Sequence, residues 1–413
     1  MFVPERSTDR HRPFGGDGYH ARVRRPFKTP SSTLVVLATV GLLATGCSSG
    51  ASSAGSSSGD PSSSASAKGR DLYAWPFSWD SIWNLPLSSK AVYHQVDLGV
   101  DATQNHGRGV SFDPEDISLD PAMPVTTVTA HGKPLQVRLD PKLAGHPDVK
   151  GNWNNCAVFL TPENTGIYQG QPFNYPATGT PSFEYRWPLV DLKSTGIPGC
   201  HGGSGLSGLG GTIRTGEMTS SEPLRHALKI ELDCIVYCSR KGPNGRAFTW
   251  PATNEDGGYD DPTQGNYYDR FGKADPAVLQ GALLALPPSF DPATLTSPNA
   301  RKIAQALLDY GGYVVDNTAW SFHNPKATRG VNAFAFQRGA EAELPDAGCP
   351  PANSETPDTG CAFYRDLRTV FGKLAVVTSN AAATPGGGPI GSPRRAPYAP
   401  AFTDGSGAPS AQP

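Results

Sequence analysis

The feature that most constrains this chain is its punctuation. Glycine occurs 47 times and proline 40 times in 413 residues. The apolar stretches between them are short: Thr126-Val128, Leu135-Leu139, Cys156-Leu160, Phe183-Trp187, Ala227-Leu232, Ala247-Trp250 and Val331-Phe336. Short apolar or alternating runs bounded by Gly, Pro, Asn and Asp are strand signals, because they bury a pleated face and then turn. They predict a mainly β fold, a single β-sandwich or jelly-roll-like domain with a few short helices. Two stretches carry a helical period. Asn299 to Tyr310 puts Ile303, Ala306, Leu307 and Tyr310 on one face and stops at Gly311-Gly312, and Phe363 to Leu374 is the second. There is no βαβ alternation and no internal repeat.

Composition divides the chain. Residues 47–70 are dominated by Ser, Gly and Ala, a flexible tether. Residues 381–413 are rich in Pro, Gly, Ala and Ser and are predicted to form a disordered tail. That leaves 71–380 as the globular domain, enough to bury a substantial core. Net charge is −2, with no recurring basic patch, so nothing in the electrostatics favours a nucleic-acid partner.

The N-terminus has a basic segment (Arg22, Arg24, Arg25, Lys28) and then an apolar run, Leu34 to Leu43, too short to span a bilayer. Leu42-Leu43-Ala44-Thr45-Gly46-Cys47-Ser48 resembles the end of a bacterial lipoprotein signal peptide, with Ala44 where such signals usually carry Leu. The resemblance implies removal of residues 1–46, lipidation of Cys47, acylation of its new amino group, and anchoring at the extracytoplasmic face of the cell membrane. Arg24-Arg25-Pro26-Phe27-Lys28 resembles a twin-arginine signal without its usual Leu, and the same arginines also suit the general positive charge of an export signal. Both routes stay open.

Setting Cys47 aside, the seven cysteines leave six: Cys156, Cys200, Cys234, Cys238, Cys349 and Cys361. An even set in an exported chain reads as disulfides. Cys349 and Cys361 enclose a loop without an apolar face and form the obvious local pair. Cys234 and Cys238 can pair only if the chain turns, because an extended Ile235-Val236-Tyr237 would hold their Cα atoms about 13 Å apart. Zinc is the alternative use of the thiols, although no CxxC pair is present.

The densest local signature runs from Gly199 to Glu217. Gly203 to Gly208 fits G-x-G-x-x-G, but an extended Gly-Thr-Ile-Arg follows where a helix should begin. No Gly-Lys-Ser/Thr closes it as a P-loop, and neither Ser204 nor Ser207 sits in G-x-S-x-G. The glycines allow a close backbone approach, to a ligand or to a neighbouring strand.

Taken with Arg225-His226-Ala227-Leu228-Lys229-Ile230, Trp250-Pro251-Ala252, Gly281 to Pro288, Tyr310 to Trp320 and the opening Trp75 to Asn84, this signature resembles a family of secreted bacterial proteins without an assigned activity. The resemblance spans most of 73–323. It implies one exported unit acting at the envelope and supplies no reaction.

Chemistry is therefore read from residue types. Glu217, His226, Glu231, Asp233, Asp256, Asp316, His201 and His323 lie in or beside the shared blocks. The seven tryptophans, Trp75, Trp79, Trp83, Trp153, Trp187, Trp250 and Trp320, sit among Asn, Asp, Tyr and Pro, the company in which indole faces stack on sugar rings. A glycan hydrolase needs two carboxylates, and Glu217 with Asp316 or Glu231 is the predicted pair. A lyase would use a base such as His226, with Arg214 neutralising a uronate. Trp250 and Trp320 are predicted to contact the sugar. The structural alternatives are a core role for His226, an ion pair for Glu217 with Arg214, a turn cap for Asp316 and a sandwich core for the tryptophans. Asp256-Gly257-Gly258-Tyr259-Asp260-Asp261 could hold Ca²⁺, but its spacing matches no EF-hand loop, and no metal or other cofactor is assigned. Two function classes stand: a membrane-anchored enzyme acting on a cell-wall or environmental polysaccharide, and a non-catalytic glycan-binding or envelope-structural lipoprotein.

Overall fold

A computed structural model describes residues 69–98, 109–146, 149, 155–201, 203–234, 236–239, 241–255, 275–318, 331–351 and 360–410. The signal segment, Cys47, most of the tether, Trp153, the Asp256–Asp261 loop, Trp320 and His323 lie outside the described residues. Among the described residues, no helix is long and apolar enough to cross a membrane.

The fold is mainly β, with thirteen strands and two α-helices among the described residues. Seven strands form a mixed sheet in the order β1 (Tyr93–Gln95), β13 (Ala375–Val377), β10 (Leu283–Ala285), β11 (Gly312–Asn317), β9 (Leu228–Leu232), β12 (Asn332–Gln337) and β2 (Val110–Ser118). Strand β2 then changes sheets. Val110 to Glu115 pair with β12, whereas Asp116 to Ser118 pair with β5 (Ala157–Leu160).

From β5 the order continues through β4 (Lys133–Arg138), β3 (Val125–Ala130), β7 (Ser182–Arg186) and β6 (Gly166–Asn174), and β6 pairs back onto β5. The short β8 (Val190–Asp191) adds to β6. These five strands close a barrel, so the expected sandwich or jelly roll gives way to a closed barrel joined to an open sheet. Closure removes the exposed hydrogen-bonding edges that a short open sheet would leave. The barrel is filled by Val128, Val137, Leu139, Phe159, Phe173 and Phe183, with Phe159 stacked on Phe183 at 5.6 Å.

Helix α1 (Pro298–Asp309) starts where Ser297 accepts a bond from the Ala300 amide with Pro298 behind it, and stops before Gly311 at φ 74°. Its Ile303, Ala306 and Leu307 join Phe363, Leu367 and Val370 of α2 (Ala362–Phe371) against Ile230, Val314 and Phe334 on one face of the sheet. Trp83, Leu206, Tyr313 and Val315 cover the other face. Strand β9 is therefore buried on both sides.

Three disulfides form: Cys156–Cys200, Cys234–Cys238 and Cys349–Cys361. The chain does turn after Cys234, as amides of Val236 and Tyr237 donate to Asp233 O, and the two Cα atoms come within 4.3 Å.

The stretch expected to be a disordered tail is a folded strap through residue 410. Beyond a short 3-10 turn at Pro385–Gly387 and single bridges, its arginines hold it in place. Arg394 donates to the carbonyls of Pro86, Pro385, Gly388 and Pro389, and Arg395 to those of Leu286 and Leu308. Tyr398 packs on Trp79 at 4.9 Å, and Phe402 is buried beneath the Arg70 guanidinium.

Candidate active site

The strand carrying Lys229 and Glu231 alternates, with Leu228, Ile230 and Leu232 on the helix side. The opposite face is also covered, so its polar residues are interior. Lys229 has 0% exposure and Glu231 2%. Neighbouring strands bring more charge to this face: Asp113 and Glu115 from β2, and Asp316 from β11. The glycine-rich stretch adds His201.

Glu115 lies at the centre. Its Oε1 accepts from Lys229 Nζ at 2.6 Å and meets His201 Nε2 at 2.6 Å. Lys229 also donates to Gly208 O at 2.7 Å, tying the glycine stretch down, and lies 3.0 Å from His201 Nε2. On its other side His201 presents Nδ1 to Asp316 Oδ2 at 3.3 Å. Asp316 is the exposed end of this chain, its side chain 24% accessible.

A β-bulge aims Asp316. Val314 pairs with Ile230, but the next pairing is Asp316 with Glu231, so Val315 is the extra residue. Without that insertion Asp316 would oppose Leu232 and face the helices. The bulge turns it beside Glu231 instead, a re-aiming typical of functional edges.

Charge states follow from this packing. Burial opposes ionisation of Glu115, but Lys229 and His201 overcome it and hold the carboxyl down to about 2. Burial would discharge His201, yet Glu115 and the bond to Asp316 raise it to about 9 against Lys229. Glu231 has no such help: burial, then Asp113, Asp316 and Glu115, push it well above the usual carboxylate range. Its Oε1 has no hydrogen-bond partner among the described residues. Asp113 is raised to about 7 by burial and by Glu115. Carboxyls driven apart in this way mark sites of proton chemistry.

Glu115, Cys156 and His201 place ligand-type atoms within 4.8 Å of one another. Cys156 is committed to its disulfide, and the Lys229 ammonium already contacts both other groups, so the trio suits a paired ion cluster better than a cation.

The glycines serve packing. A Cβ on Gly210 would overlap the Trp83 indole, and one on Gly211, at φ 78°, would lie 2.8 Å from the same ring. The close neighbour of this backbone is a tryptophan.

The other predicted residues lie elsewhere. Glu217 accepts from the Arg214 guanidinium at 2.8 Å and its amide at 2.6 Å, and faces His226 Nε2 at 3.3 Å. Against burial, Arg214 and then His226 hold it down to about 2, so it is a fixed anion and no proton donor. His226 precedes β9 rather than sharing its apolar face. With Tyr73, Trp75, Glu222 and Arg225, these groups line a cleft of about 790 Å³ beside Gln337. Four steps along β12, from Ala333 to Gln337, separate this level from the Glu231 rung, about 13 Å at about 3.3 Å per residue. Glu217 therefore does not pair with Asp316 or Glu231.

Of the tryptophans, Trp79 and Trp83 are buried, and Trp250, predicted to contact the sugar, is half-buried against the core. Trp75 lines the cleft.

Asp113, Glu115 and Lys229 escape sequence reasoning. Asp113-Pro114-Glu115-Asp116 reads locally as a turn, since proline and acids are poor strand formers. It becomes strand where β2 passes between sheets. Compared with known proteins, the chain matches no family model, no curated protein and no solved structure.

Proposed function

We propose that this protein is a lipid-anchored, extracytoplasmic hydrolase of polysaccharide, with Glu231 as proton donor and Asp316 as the carboxylate partner. The observation that carries the chemistry is the rung that places the two side by side, one carboxyl kept neutral by burial and the other held by His201. Glycoside hydrolysis uses such a pair. Glu231, 2% exposed in this structure, would have to be uncovered to protonate the glycosidic oxygen as its bond to the anomeric carbon breaks. Asp316 would take that carbon as a glycosyl ester, and water deprotonated by Glu231 would then release the sugar. A glycosyl ester on Asp316 followed by hydrolysis is a double displacement, so the proposed mechanism retains the anomeric configuration.

Polysaccharide is favoured as the substrate class by the lipoprotein-like N-terminus, which would set the protein among envelope glycans. The test is the full-length protein in detergent against a polysaccharide panel, scoring new reducing ends, unsaturated uronates and retardation in glycan gels. Hydrolysis should fall by at least about 10³ in Glu231→Gln and Asp316→Asn. Gln replaces a carboxyl that is already uncharged, so folding should be kept. Retardation without cleavage would instead support the binding lipoprotein, and unsaturated products a lyase.

A further inference from the structure

The Glu217 cleft is built but takes no part in the chemistry proposed above. Its volume, about 790 Å³, lies within the range of about 300–1,000 Å³ typical of ligand sites. Tyr73 and Trp75 supply aromatic surface, and Trp75 is oriented by a bond from its Nε1 to Asn84 Oδ1 at 3.0 Å.

Two ion pairs lie within the cleft. Arg214 pairs with Glu217, and Arg225 pairs with Glu222 at 2.6 Å. Asp71 accepts from the amides of Tyr73 and Ala74, and Asp120 from that of Ala122. Arg70 is buried, gives its bonds to the carbonyls of Trp75, Pro76 and Pro400, and lies against Phe402. Three arginines stand against four carboxylates in the lining, so an acidic ligand would find no net positive charge here. An uncharged sugar fits better, because its neighbouring hydroxyls can accept from a guanidinium and donate to the adjacent carboxylate while a ring face meets an aromatic.

We infer that this cleft is a second, non-catalytic carbohydrate site that takes an uncharged stretch of polysaccharide, apart from the acid–base rung. The ligand class rests on the polysaccharide reading. The site itself is independent of whether hydrolysis occurs.

The experiment is calorimetric titration of the full-length protein in detergent with cello-, xylo-, manno-, malto- and chito-oligosaccharides, and with oligogalacturonate as the acidic probe. At least one neutral probe should bind, with affinity changing less than about twofold between about 50 and 500 mM NaCl, because no net charge is matched. Trp75→Ala should weaken it about tenfold or more. Arg225→Ala, at a side chain 48% exposed, should weaken it several-fold. Asp316→Asn should leave it within about twofold.

The inference is overturned if no neutral probe binds, or if only oligogalacturonate binds with strong salt dependence. It is equally overturned if Asp316→Asn abolishes binding while Trp75→Ala and Arg225→Ala leave it intact. Loss of turnover with binding kept, or the reverse, separates failure of the hydrolase reading from failure of this one.

Discussion

Replacing Lys229 with Met tests the interior ion cluster directly. Met retains an unbranched stem in a site with 0% exposure but removes the ammonium. Gly208 O then loses its donor at 2.7 Å, and Glu115 retains only His201 on Oε1. Removing one partner of a buried pair costs about 3–5 kcal/mol, and the remaining imidazolium points to the lower end. At a urea dependence of about 3 kcal/mol/M, a loss of about 3 kcal/mol lowers the unfolding midpoint by about 1 M. A double variant with Glu115→Gln removes the stranded anion and should recover at least half of the loss. Acid titration adds a second readout. Glu115 is held from its ordinary 4.5 down to about 2, so its contribution is present above 4.5 and is lost as pH falls through about 2. Lys229→Met should flatten that acid slope. The reasoning fails if the single variant unfolds within about 1 kcal/mol of wild type, or if the double variant is no more stable than the single.

A protein ending at residue 380 loses buried Tyr398 and Phe402, each worth about 1.5–3 kcal/mol, so urea unfolding should show a loss of about 3–6 kcal/mol, and unchanged stability would show the strap to be incidental. Glu217→Gln should cost about 1–3 kcal/mol by leaving Arg214 short of its anion while hydrolysis continues, and loss of turnover at retained fold would return Glu217 to the catalytic machinery. His201 is raised from 6.5 to about 9, so its contribution is complete below 6.5 and disappears as pH rises through 9. Unfolding followed across that window should show the decline in wild type, and a His201→Gln protein with the same decline would disprove the assignment.

Local chemistry made much of the architecture legible. Helix α1 was readable because its apolar period and its glycine stop lie in one short stretch of sequence. The strands at Leu228–Leu232 and Asn332–Gln337 announce themselves by apolar runs. Cys349 and Cys361 are near neighbours in sequence around a stretch without an apolar face, and they pair as expected. The strap shows the limit of composition: Pro and Gly suppress helix and strand, but its arginines bond carbonyls contributed by Pro86, Leu286 and Leu308, which a composition count cannot see.

For the candidate site the division is sharper. The sequence by itself determined that Lys229 and Glu231 share one face of a strand, and that Glu217 sits within reach of Arg214, because both facts depend only on nearby residues. Tertiary structure alone decided that the Lys229 face is interior, that a one-residue bulge sets Asp316 beside Glu231, and that Glu115 and His201 meet them. Those groups come from four separate stretches of chain, and their charge states depend on burial and on neighbours brought close by folding. No local pattern encodes either quantity.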